Sequence, residues 1–208
     1  MIYNRNNLQI YQLADKASAR PELTGVLFKR DRTLATDGYI LAEVVNSDEM
    51  LRQANDLPDL PDKGKLLINF AKKGYIIPAS SVKKALGNIP VNPQMPVLEF
   101  ARFCQPADLT TSKIATTNLE RADVVNVKNI EADYPDISRV MPDEQSEKAY
   151  KFISLNRKYL KKIADLFNSM EMGDTIQIGI KDTTSPVYIK GQSKTGQKIK
   201  GLIMPIRS

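Results

Sequence analysis

Apolar and polar positions along the chain fall into one order three times over: a stretch with helical spacing, then about three short extended runs. In the first, Ile10, Leu13, Ala14 and Ala17 recur at helical spacing. This predicts a helix from about Asn7 to Ser18, capped by Asn6 or Asn7 and ended at Arg20-Pro21. Leu23 to Phe28 reads as a strand closed by the polar turn Lys29-Arg30-Asp31-Arg32. Leu34-Ala35-Thr36-Asp37-Gly38-Tyr39-Ile40-Leu41-Ala42 then sets apolar residues on both sides of Asp-Gly, a pair that takes the positive φ angles of a tight hairpin. This strand group finishes near Val45.

The acidic, proline-bearing stretch Asn46 to Lys65 reads as a loop or linker. Strands are expected at Leu66–Phe70 and Tyr75–Ile77. A second helix is expected at Ala79–Leu86, with Gly87 as its left-handed stop. Strands follow at Val97–Phe103, Lys113–Thr117 and Ala122–Lys128, with a polar loop around Cys104 to Ser112. Prolines bracket the segment Asp133 to Pro142, which suits neither a helix nor a central strand and reads as an ordered, extended connector.

The clearest element is a helix from about Leu155 to Met170. Tyr159, Leu160, Ile163, Leu166, Phe167 and Met170 share one face, and Arg157, Lys158, Lys161 and Lys162 gather opposite, with Asp165 among them. Ser154 is the expected cap and Gly173-Asp174 the expected end. Strands at Thr175–Ile180, Val187–Lys190 and Lys198–Pro205 complete the chain, with turns at Asp182–Ser185 and Gly191–Gly196. The unit therefore recurs near residues 7–45, 79–128 and 155–205. This implies an α+β fold of repeated helix plus antiparallel-strand units, helices on one face of a curved sheet extended edge to edge. The expected division is residues 1–141 for a domain of two units and 142–208 for a single further unit.

Composition narrows the chemistry. With 208 residues, 42% hydrophobic and 26% charged, the chain can bury a sizeable core. No apolar run reaches membrane-span length and no signal-peptide layout opens the sequence, so a cytoplasmic protein without a membrane partner is expected. The single Cys104 allows no internal disulfide, and histidine is absent. That removes the commonest general base and most zinc sites, and no phosphate loop or carboxylate motif is present. Neither catalysis, a bound metal nor a cofactor is expected. A formal charge of +6 suits a polyanionic partner.

The hairpin, the connector and the C-terminus together resemble the bacterial β sliding clamp family, the processivity subunits of replicative DNA polymerase. Leu34-Ala-Thr-Asp-Gly-Tyr-Ile-Leu-Ala42 resembles the family's Ala-Thr-Asp-Gly-His-Arg-Leu-Ala hairpin, with Thr24-Gly25-Val26-Leu27-Phe28 at the expected distance upstream. Tyr134-Pro-Asp-Ile-Ser-Arg-Val-Met-Pro142 resembles Phe-Pro-Asp-Tyr-Arg-Arg-Val-Leu-Pro, which opens the clamp's last domain. Ile203-Met204-Pro205-Ile206-Arg207-Ser208 resembles the Val-Met-Pro-Met-Arg-Leu terminus, and Asp182 to Val187 fits the segment before it. Clamp subunits have three domains of two helix–strand units each. This chain matches the middle domain and the final half of the last.

The resemblance implies a DNA polymerase processivity factor that binds duplex DNA without reading sequence, through basic side chains on its helices. Lys16, Lys83, Lys84, Arg157, Lys158, Lys161 and Lys162 hold the matching positions, and backbone-only contact suits sliding. The bland alternative for such residues is the solvated side of an amphipathic helix. The resemblance also implies an apolar cleft for short peptides of DNA polymerase or other replication proteins. It would involve Leu23, Thr36, Gly38, Tyr39 and Leu41 from the hairpin region and Pro135, Arg139 and Val140 from the connector. Leu202, Ile203, Met204, Pro205, Ile206 and Arg207 would come from the tail. For Val140, Leu202, Ile203 and Met204 the alternative is plain core. Tyr39-Ile40 stands where the family has His-Arg, and Ser138 where it has Arg, so the cleft is expected to be more apolar. A homo-oligomer is a possible further partner, and a peptide-binding adaptor or decoy that never encircles DNA is the rival function.

Overall fold

The structure, a computed structural model, describes residues 1–47, 73–91, 94–104, 110–137, 141, 148–169, 175–192 and 198–206. The expected strand Leu66–Phe70, most of the acidic linker and part of the loop after Cys104 lie outside the described residues. The chain divides into two compact units, Met1–Asp136 and Ile137–Ser208.

The first unit begins with a strand the sequence pattern misses, β1 (Ile2–Asn4), which runs straight into α1 (Arg5–Gln9). Asn4 caps that helix: its side-chain oxygen accepts from the backbone N–H of Asn6 (3.0 Å) and Asn7 (3.2 Å), while Asn7 Oδ1 accepts from Asn4 N–H at 3.0 Å. The cap is thus earlier than expected, because Asn7 is needed inside. It is fully buried, and its amide nitrogen lies 3.3 Å from both Thr33 Oγ1 and the Val44 carbonyl.

The helix is also shorter than expected. A 3-10 turn at Ile10–Leu13 ends it, and the Asp15 N–H then donates to the Leu23 carbonyl at 3.0 Å instead of continuing the helical ladder. The Asp15 carboxylate takes the Ala17 N–H at 3.0 Å, so Lys16 and Ala17 lie in a turn and not on a helix.

Strands β2 (Gly25–Phe28), β3 (Arg32–Thr36) and β4 (Leu41–Val45) follow. Then come β5 (Tyr75–Pro78), α2 (Ala79–Gly87), β6 (Phe100–Cys104), β7 (Thr111–Thr117) and β8 (Ala122–Lys128). Gly87 is the helix's last residue and is not left-handed: the only positive-φ glycines described are Gly38 and Gly74. Asn88 and Ile89 close the helix with bonds to the Ala85 and Leu86 carbonyls at 3.1 Å, which carries Ile89 into the core before Pro90 forbids another turn. Two expected strands start late. The segments before β2 and β6 are 3-10 turns, Pro21–Thr24 and Pro96–Glu99, each opened by a proline.

Two four-stranded antiparallel sheets result, in the orders β4-β3-β2-β5 and β1-β6-β7-β8. Each is built of three consecutive strands from one half of the unit plus the strand that leads into the other half's helix. Asn4, Tyr3 and Ile2 face Phe100, Ala101 and Arg102; Pro78, Ile77 and Ile76 face Gly25, Val26 and Leu27. This exchange makes one core. Tyr3, Phe28, Tyr75 and Phe103, one from each of β1, β2, β5 and β6, pack at ring separations of 5.0 Å (Tyr3–Phe28), 5.3 Å (Phe28–Phe103) and 6.1 Å (Tyr75–Phe103). The helices also pack together, and the Arg5 guanidinium donates to the Ile89 carbonyl at 2.6 Å, tying the start of α1 to the end of α2.

Among the described residues the second unit holds a single such half. A run through residues 151–156, neither helix nor strand, enters α3 (Arg157–Ser169), whose first turn is capped by Asn156 and not by Ser154: the Lys158 N–H donates to Asn156 Oδ1 at 2.9 Å. The Ser154 carbonyl instead accepts from the Ile206 N–H at 2.8 Å. The sheet is β9 (Gln177–Gly179), β10 (Val187–Gln192) and β11 (Lys198–Ile203), antiparallel, with β10 in the middle. Its buried centre is Val187, Ile189 and Ile203, with Ile153, Leu155 and Ile163 against it. The helix sits close on β11, where a Cβ on Gly201 would come within 3.3 Å of Ile163 Cδ1. Tyr159, Leu160 and Leu166, expected to be buried, stay exposed at the helix flanks. Met170 and the side chain of Phe167 lie outside the described residues.

Candidate nucleic-acid interface and peptide groove

In the first unit the Asp-Gly hairpin is held by its own side chains. Asp37 Oδ1 accepts from the Tyr39 and Ile40 N–H groups at 2.8 Å each, and these bonds hold its carboxyl below the usual range. Thr36 Oγ1 accepts from the Gly38 N–H at 3.0 Å and donates to the Ile40 carbonyl at 2.6 Å. Gly38 has φ +97°, and a Cβ there would meet Leu23 Cδ1 at 3.8 Å, so hairpin tip and Leu23 are neighbours. Leu23 and Thr36 are buried and form a floor, Leu41 is half-buried, and Tyr39 is 97% exposed.

The connector reaches this corner too. The Tyr134 hydroxyl is buried against the Thr36 backbone without a well-formed hydrogen bond, and burial pushes its pKa up. Pro135 follows, half-buried. Tyr134 is not among the residues expected at this corner; its place in the connector motif is the signal that could have found it. Arg139 and Val140 lie outside the described residues, as does Arg207.

In the second unit, cross-strand pairing puts Gly179, Tyr188 and Leu202 on the sheet face turned away from α3. With Ile180, Lys181, Ser185 and Pro186 they line an open groove of about 520 Å³, mostly apolar. The Asp182 turn forms its rim. Asp182 accepts from the Thr184 and Ser185 N–H groups (2.9 and 2.6 Å) and from both hydroxyls (3.0 and 2.6 Å), which holds its carboxyl far below the usual range.

Leu202, 63% exposed, is thus in the groove. Met204 and Ile206 are also exposed and Pro205 is half-buried. Ile203 is not a surface residue: it is 2% exposed and belongs to the core on the opposite sheet face. Tyr188 and Pro186 are not among the expected groove residues: Tyr188 reads from sequence alone as ordinary strand, and Pro186 as part of the turn before it.

The basic residues sit as follows. Arg157, Lys158, Lys161 and Lys162 are all exposed, on the side of α3 away from Ile163 and therefore away from the sheet. Lys161 is partly neutralised by Asp165, 2.8 Å away one turn on. In the first unit Lys83 and Lys84 are exposed on α2, opposite buried Val82, Ala85 and Leu86. Lys16 lies beyond α1 with its ammonium 5.7 Å from the centre of the Tyr11 ring.

No protein-family model and no curated protein sequence matches the chain. Solved structures do. The β subunit of the DNA polymerase of Streptococcus pyogenes aligns over 100% of this chain and 50% of its own length, with a TM-score of 0.63 at 13% identity. The DNA polymerase sliding clamp of Bacillus subtilis gives 0.63 at 15%, over 100% and 49%. That of Pseudomonas aeruginosa gives 0.66 at 12%, over 99% and 50%. The chain has the bacterial sliding-clamp fold, over about half the length of the clamp subunits it matches.

Proposed function

We propose that the chain acts as a clamp-like processivity factor, holding duplex DNA without sequence preference and docking short apolar peptides of replication proteins. The observation that carries this reading lies within the second unit. One three-stranded sheet carries a basic helix face on one side and an open apolar groove on the other. Two partners can then be held at once, because neither covers the other's surface. The helix offers exposed ammonium and guanidinium groups to a phosphate backbone, the sequence-independent contact that sliding requires. The groove offers Tyr188, Pro186 and Leu202 to an aliphatic or aromatic anchor side chain.

The test separates the two surfaces. Reversing Lys158, Lys161 and Lys162 to Glu is expected to abolish binding to random-sequence duplex DNA, with peptide affinity kept. In the unchanged chain, DNA binding should weaken steeply with added salt, by a log–log slope of about 0.9 per phosphate contacted. Leu202→Asp should do the converse. If charge reversal leaves DNA retention untouched while Leu202→Asp still abolishes peptide docking, the chain is an adaptor that never holds DNA.

A further inference from the structure

In the first unit both described α-helices, α1 and α2, are entered from a strand lent to the other half's sheet. The geometry of that loan is the same twice. Asn4, the cap of α1, lies opposite Phe100, the first residue of β6; Pro78, the cap of α2, lies opposite Gly25, the first residue of β2. One position before each cap, Tyr3 and Ile77 face the second residues of those strands, Ala101 and Val26, and all four are core. The second unit has both parts of this joint and neither partner. Its sheet stops at β9, the strand equivalent to β2 and β6, so the position filled by β5 and β1 in the first unit is open. Its helix α3 is entered from a run, 151–156, that is neither helix nor strand and pairs with no strand among the described residues; its Ser154 carbonyl accepts from the Ile206 N–H as the Ile76 carbonyl of β5 accepts from Ile130.

The side chains fit the same register. Leu155 stands one position before the cap Asn156 and packs on the small core. Ile178, the second residue of β9, faces the same side as buried Ile189 yet is 54% exposed, because no described strand pairs beyond it. An unpaired β edge that also carries an unburied apolar residue invites another strand.

We propose that a second copy of this chain fills the open edge. Two second units, related by a two-fold axis, exchange their 151–155 segments so that each completes the other's sheet. Leu155 then lies opposite Ile178 of the second copy, as Ile77 lies opposite Val26. The occupant is a second copy because, among the described residues, the same unit holds one vacant edge and one unpaired segment leading into its helix. A single two-fold contact satisfies both, as isologous dimers do. The joint copies the internal packing of the first unit, and the basic helix face takes no part in it.

Sedimentation of the purified full chain, across a wide range of micromolar concentrations, tests the proposal. A concentration-dependent dimer is expected, and Ile178→Asp should raise its dissociation constant about a hundredfold by placing a charge inside the new core. The thermal unfolding of the dilute variant should match that of the dilute parent, since Ile178 is half-exposed in a single copy. Register is read by cross-linking in a Cys104→Ser background. Oxidation of Leu155→Cys chains mixed with Ile178→Cys chains should give a disulfide-linked pair that neither variant gives alone. A chain that stays monomeric at the highest concentration overturns the proposal. So does a dimer indifferent to Ile178→Asp, or a mixture that fails to cross-link.

Discussion

The two units are built from the same part, one helix before three antiparallel strands, yet they differ in how that part is finished. In the first unit two copies share a core of Tyr3, Phe28, Tyr75, Phe103 and the aliphatic side chains around them, closed by two exchanged strands. In the second unit the same part stands single. Its buried centre shrinks to Val187, Ile189 and Ile203, while Phe152, Tyr159, Leu166 and Ile178 lie in the open. The sequence of the part does not make the core; the apposition of two parts does. A single helix over three strands covers one side of its stripe and leaves the flanks wet, as the surface-to-volume argument for small domains requires.

The comparison can be broken from the larger core downwards. Phe103→Ala removes the ring that touches Tyr3, Phe28 and Tyr75 and is expected to cost about 3–5 kcal/mol of stability by urea unfolding. Ile178→Ser in the second unit should cost under about 0.5 kcal/mol in dilute solution. A comparable loss at both sites would show that the second unit is closed after all.

Asn7→Ala removes side-chain bonds to the Asn4 N–H and the Val44 carbonyl, and should cost about 1–3 kcal/mol. Gly38→Ala forces a side chain to φ +97° and is expected to cost about 1 kcal/mol while leaving the core intact. The smallest effect sharpens the groove. The Asp182 carboxyl is depressed far below its ordinary value by its hydrogen bonds, so it stays ionised, and the rim ordered, through the ordinary carboxylate range near 4. Amide shifts of Thr184 and Ser185, followed in an acid titration, should hold steady from neutrality through that range and move only well below it.

Much of this architecture is legible in the residues themselves. The helix at Ala79, the strand Ala122–Lys128 and the Asp-Gly hairpin follow from periodicity and turn chemistry, which are local. What escapes is long-range. Strand β1 has three residues and takes its meaning from β6, far along the chain. The first helix stops early because Asp15 finds the Leu23 carbonyl, a partner that spacing does not reveal. The basic side of α3 is readable because charge follows the helical period. The groove is only half readable. Leu202 belongs to the terminal motif, but Tyr188 joins it by pairing across β10 and β11, and Ile203 turns the other way by the alternation of the same strand.

The lending of leading strands also bears on how the chain is born. Tyr3 leaves the ribosome long before its partner strand, and the sheet that holds it does not exist until β6 has been translated, through Cys104. Throughout that interval a nascent aromatic and its naked strand have no native place to go. Such delayed pairing is slow and exposes sticky surface. The first unit is therefore an all-or-nothing product of translation, and an early-terminated message yields no stable smaller piece of it.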